Sequence, residues 1–143
     1  MITALFHRVS YLQYPFVLVS LYYYTFFVMS LAEGAPDWEQ MNSVLVFFGI
    51  AISFSTLQDT STTQNALSRR VWESPRKGKI ALGALAVMTA FFMISGLLGF
   101  LNSYSAAHEE VSLGLIVLSI GLLGLLKAAI EMFENHRRDK NPS

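Results

Sequence analysis

Apolar residues in this chain do not alternate with polar ones. They come in four long blocks divided by short polar or charged connections. The uncharged blocks run from Val9 to Ala32, Gln40 to Gln58, Ile80 to His108 and Val111 to Leu126, with the apolar part of the third ending near Leu101. A helix needs about 20 mostly apolar residues to cross a hydrocarbon core of roughly 30 Å. The first three blocks reach about that length. The fourth reaches it by continuing through Lys127, Ala128, Ala129 and Ile130, with the lysine stem lying along apolar surface and its ammonium at the headgroups. Closed β-barrels, the other spanning solution, require short segments of alternating polarity, which are missing here.

The pattern therefore predicts an all-α polytopic membrane protein, a four-transmembrane-helix bundle forming one membrane domain over residues 1–143. The spans are expected near 10–32, 38–64, 75–101 and 106–134. The first block is too long for a usual secretory apolar region, although Ser30-Leu31-Ala32 faintly resembles a cleavage site.

Composition agrees with this reading. Of 143 residues, 53% are hydrophobic and 14% charged, against about 25% charged in an ordinary soluble domain. So few charges cannot clothe a soluble globule, whereas lipid tails can cover an apolar surface. The absence of cysteine excludes disulfides, cysteine metal sites and thiol nucleophiles.

The zero net charge hides an asymmetry. The ten bases are Arg8, Arg69, Arg70, Arg76, Lys77, Lys79, Lys127, Arg137, Arg138 and Lys140. All fall before the first span, in the middle connection, or at the end of the fourth. The other two connections hold Glu33, Asp37, Glu39, Glu109 and Glu110 and no base. The positive-inside rule then places both termini and the middle connection in the cytoplasm, for a multi-pass protein of the cell's inner membrane.

Local signals mark the helix ends. Asp37-Trp38-Glu39-Gln40 reads as a capping box that starts the second helix. Ser74-Pro75 reads as N-cap and first residue of the third. Asn102 is the expected C-cap of the third helix and Ser105 the N-cap of the fourth, with Glu109 and Glu110 favoured near its start by the macrodipole. The second helix is expected to end near Gln64 or Asn65. Within the cytoplasmic connection of about 65–74, Ala66 to Glu73 would then form a short interfacial helix, with Leu67, Val71 and Trp72 toward lipid and Arg69 and Arg70 toward headgroups.

Helix, short acidic loop, helix occurs twice, a loose internal repeat. Gly96-Leu-Leu-Gly-Phe-Leu-Asn102, a short acidic turn, and the segment from Gly114 to Lys127 give this layout a resemblance to the YiaA/YiaB-like small inner-membrane proteins, which have two tandem helical hairpins. The long middle connection departs from that pattern. The resemblance implies the hairpin layout and no biochemical activity.

Candidate chemistry is sparse. Gly49, Ser53, Thr56, Thr60 and Thr63 share one face of the second helix, and Gly121, Gly124, Ala128 and Glu131 one face of the fourth. Such stripes either let helices pack closely or line a polar pathway. Asp59 and Lys127 are expected at similar depth near the inner boundary, and are expected to pair, with Glu131 one turn after the lysine. Ser53, Thr56, Asp59, Thr60, Lys127 and Glu131 are thus a candidate polar pathway or charge cluster, or simply interfacial residues that fix register. Tyr22, Tyr23 and Tyr24 fall mid-span, as aromatic packing or as a lipid or small-molecule surface. One of their hydroxyls is expected to find a partner in the bundle, and Tyr24 to turn inward with Ser20 and Gln13.

His7, His108 and His136 lie outside or at the edges of the spans, so no histidine pair is placed to ligate a haem. No serine, histidine and acid arrangement suggests a hydrolase. No enzyme activity, cofactor, metal or nucleic-acid partner is expected. The expected partners are the lipid bilayer, whose anionic lipids suit the basic inner surface, and further copies of the chain or other membrane subunits. Two readings follow: a small homo-oligomeric transporter or channel with its pathway along the second helix, or a non-catalytic accessory or assembly subunit of a larger membrane complex.

Overall fold

Pro15 breaks the first apolar block into two helices. In the computed structural model, which describes residues 2–57, 66–102, 105–137 and 139, α1 (Ile2–Ser10) and α2 (Gln13–Ala32) meet at a turn over Tyr11 and Leu12. Proline lacks an N–H, and its ring collides with the carbonyl four residues earlier, here that of Tyr11. That carbonyl accepts from the Tyr14 N–H at 3.2 Å instead. The Ser10 hydroxyl, buried at the joint, donates to the His7 carbonyl at 2.7 Å. The expected start near residue 10 therefore overlooked a separate helix α1.

Four more helices follow: α3 (Trp38–Ser55), α4 (Ala66–Trp72), α5 (Pro75–Leu101) and α6 (Ala106–His136). No strand occurs among the described residues. The stretch from Leu5 to Ala32, α5 and α6 are long and apolar enough to cross a membrane. The described part of α3, 18 residues that include Glu39, Gln40 and Asn42, is not among these three.

The caps lie where the sequence places them. Asp37 Oδ1 accepts from the Gln40 N–H at 3.2 Å and starts α3. Ser74 Oγ accepts from the Lys77 N–H at 3.4 Å, with Pro75 opening α5. Asn102 closes α5 through its N–H to the Leu98 carbonyl. Ser105 Oγ accepts from the His108 N–H at 3.2 Å and starts α6. The short helix α4 occupies the expected interfacial segment, with Arg69 and Arg70 exposed and Val71 and Trp72 half-buried.

The expected end of this helix near Gln64 or Asn65 lies outside the described residues. The described helix runs to Ser55, with Thr56 as C-cap. Its last turn carries three hydroxyls that bond back to the helix. Ser53 donates to the Gly49 carbonyl at 2.9 Å, Ser55 to Ile52 at 2.7 Å and Thr56 to Ser53 at 2.7 Å. Such bonds can bend a helix without ending it, as Thr89 and Ser119 do inside α5 and α6.

The helices pair in the order α2, α3, α6, α5. α2 and α5 form the two edges of this row, and α4 packs on α5 and α6. Neighbouring side chains give the directions. Phe27 meets Trp38 and Phe16 meets Phe54, so α2 and α3 are antiparallel. Gly99 meets His108 and Gly78 meets Phe133, so α5 and α6 are antiparallel. Asn42 meets Gly114 and Thr56 meets Gly124, so α3 and α6 run parallel. Two hairpins thus join through their second helices.

That join is a backbone contact. A Cβ added to Gly49 would lie 2.7 Å from the Leu118 Cα, and one added to Gly121 would strike the Gly49 carbonyl. One turn or two toward the acidic end, Asn42 Oδ1 accepts from the Gly114 N–H at 2.7 Å. The α2–α3 contact is aromatic instead. Phe47 stacks on Tyr23 at 5.5 Å and on Phe16 at 6.3 Å, and Ser20 donates to the Val44 carbonyl at 3.0 Å.

Gly121→Leu should cost about 1–3 kcal/mol through forced displacement of α3, measured as a lowered Tm in mild detergent. Gly83→Leu, where nothing lies within 4 Å, should leave Tm nearly unchanged. Asn42→Ala should cost about 0.6 kcal/mol and at most roughly 1.7 kcal/mol, the average and maximum measured for interhelical hydrogen bonds in a membrane protein, in the same assay.

Candidate functional site

The directions of the helices sort the charges. The start of α2, the end of α3, the start of α5 and the end of α6 lie at one end of the row. Arg8, Arg69, Arg70, Arg76, Lys77, Lys79, Lys127 and Arg137 belong to this end, in excess over Glu73, Glu131, Glu134 and Asp139. Glu33, Asp37, Glu39, Glu109 and Glu110 belong to the other. The molecule therefore has a basic and an acidic end.

The hydroxyl stripe of α3 is the first candidate. Ser53 Oγ and Thr56 Oγ1 each lie 3.3 Å from where a Cβ would stand on Gly121 and Gly124, respectively. Both hydroxyl protons are directed to carbonyls of α3 itself. Ser53 and Thr56 thus sit in the α3–α6 contact as small, internally bonded side chains. Asp59 and Thr60 lie outside the described residues.

Lys127 and Glu131 do come together. Lys127 Nζ donates to Glu131 Oε1 at 2.6 Å, with side chains 78% and 46% exposed. The pair is exposed on α6.

Of the three tyrosines, only Tyr23 is half-buried, stacked on Phe47. Tyr22 is exposed, with its ring edge on Tyr23 and Phe26. Tyr24 is 48% exposed, which corrects its expected inward position. Ser20, Tyr23 and Phe27 form the inward face, and their centre lies well round the helix from Tyr24. None of the three tyrosine hydroxyls has a hydrogen-bond partner among the described residues, so the expected partner in the bundle is not found.

Two contacts escaped the sequence reading. His108 lays its ring on the bare backbone of Gly99 and directs Nε2 to the Ser95 carbonyl at 3.0 Å, where it must donate. The signal was present as Gly99 one hairpin turn from His108. Asn42 on the Gly114 N–H had no such signal, because the two residues are 72 positions apart.

The basic end is the most elaborated polar region. Arg69 Nε donates to Glu73 Oε1 at 2.6 Å, and this hydrogen bond holds the guanidinium above its ordinary pKa. Arg137 lies 5.4 Å over the Phe133 ring, 3.0 Å from Glu134 and 3.1 Å from Asp139. An open groove of about 300 Å³ runs along the α4–α5 turn, lined by Arg70, Glu73, Ser74, Pro75 and Lys77. Among the described residues, no three histidine, aspartate or glutamate side chains converge as a metal site.

No family model, no curated protein and no solved structure matches the chain.

Neutralising the outer pair should matter little to folding. Lys127→Gln should change stability by roughly 0.5 kcal/mol at most, the value of an exposed pair one helical turn apart, read as an unchanged Tm within a few degrees.

Proposed function

We propose that this chain is a four-pass membrane protein, basic end in the cytoplasm, that serves as a non-catalytic accessory or assembly subunit of a larger membrane complex. The α3–α6 contact carries this reading. It closes on glycine backbones, and the Ser53 and Thr56 hydroxyls within it are bonded to their own helix. Backbones this close leave no room for a solvated route between α3 and α6 at Gly49 and Gly121. The row also leaves both edge helices broadly exposed, with Leu18, Leu21 and Met29 on α2 and Val87, Phe91 and Ile94 on α5. Such faces suit lipid and the flanks of other membrane helices.

A homo-oligomeric transporter or channel is the second reading, favoured by one observation. Lys127 and Glu131 are exposed on α6, where a pathway between protomers would meet them. Charges at membrane depth usually pair or line water.

Native mass spectrometry of protein extracted gently from its own membrane separates the two. Foreign subunits at fixed ratio are the expected result. A clean homo-oligomer, with solute flux abolished by Glu131→Gln and retained in Ser53→Ala, would overturn the accessory reading in favour of the second.

A further inference from the structure

The groove at the α4–α5 turn carries unbalanced positive charge. Its single carboxylate, Glu73, is taken up by Arg69 from the neighbouring position on α4. Arg70 and Lys77 line the same groove, are exposed, and form no ion pair among the described residues. The Ser74 hydroxyl is engaged by the Lys77 N–H, so the charge in the groove comes from two side chains on two different helices. One offers a planar fork of N–H donors, the other a mobile ammonium. A guanidinium and an ammonium facing one cleft suit a single phosphate group, the first by bidentate bonding and the second as a point charge.

Position selects the source of that phosphate. α4 lies at the basic end, packed on α5 and α6, and its half-buried Val71 and Trp72 follow directly on exposed Arg69 and Arg70. Beside the groove, α5 continues into a long apolar helix whose Ile80 is 64% exposed. A ligand in the groove thus has cationic groups at its head and an apolar helix flank beside it. We propose that this groove binds the phosphodiester headgroup of one anionic phospholipid of the cytoplasmic leaflet, held by Arg70 and Lys77, with the acyl chains along α5. The inference rests on the membrane reading above.

The full chain is first tested for flotation with phosphatidylcholine vesicles, which scores the membrane reading alone. It is then placed in nanodiscs of phosphatidylcholine with a minority of phosphatidylglycerol, and the lipid retained after gentle release is weighed by native mass spectrometry. The expected result is one retained phosphatidylglycerol per chain. Retention should fall at least about tenfold in Arg70→Gln or Lys77→Gln and roughly 100-fold in the double variant, since a direct hydrogen bond to a charged group is worth about 1.5–3 kcal/mol, tenfold or more in affinity. Arg70→Lys should lose part of the effect. Lys79→Gln and Arg8→Gln, which remove equal charge outside the groove, should retain the lipid.

Equal loss in these controls would overturn the groove and leave only diffuse attraction. Full displacement by millimolar inorganic phosphate would overturn the lipid as occupant in favour of a free anion. No selective retention in a chain that floats would overturn the proposal while leaving the membrane reading intact. Failure to float would overturn both.

Discussion

Everything in this structure depends on how closely α3 can approach α6. Their association relies on close packing and on polar contacts. Gly49 and Gly121 remove the side chains that would hold the axes apart, and the Gly49 carbonyl lies against Gly121 itself. Once the backbones touch, Asn42 reaches the Gly114 N–H and Thr56 settles on Gly124. The parallel sense of this pair then decides which ends of the two hairpins lie together. The separation of basic and acidic ends is thus a consequence of glycine placement as well as of loop composition.

α6 is the member of the row most fully enclosed. Its glycines at 114, 121 and 124 serve α3, while Ser112, Ser119 and Phe133 serve α5. From Gly124, the partner of Thr56, α6 continues to His136, about 18 Å at 1.5 Å per residue. At this level α4 packs on α5 and α6. The basic groove forms where this short helix turns into α5.

The boundaries set by short-range chemistry were legible in the sequence. Asp37, Ser74, Asn102 and Ser105 each act within four residues, so spacing alone locates them. The facing of helices was legible only in part. The stripe Gly49, Ser53, Thr56 identifies a shared face, but its partner on α6 depends on register across 72 positions, which no local pattern carries. The same limit hid the grip of Asn42. One misreading came from weighing apolar length above interruption: Pro15 divides the first block. Tyr24 was misplaced because it lies near Ser20 on the helix wheel, while stacking on Phe47 draws Tyr23 inward instead. Among the candidate site residues, the Lys127–Glu131 pair follows from adjacency on one helix, whereas the burial of Ser53 and Thr56 against glycines required the fold.

The central place of α6 also has a temporal meaning. A chain is made from its N-terminus at about 5–20 residues per second. The α3 surface around Asn42 and Gly49 is finished 72 residues before its counterpart on α6, a delay of roughly 4 to 14 s at that pace. For that interval the first hairpin carries an exposed notch of bare backbone with no matching surface from its own chain. The helix that fills it, α6, emerges after the other five described helices, so the central contact of the row cannot close before α5 has been made.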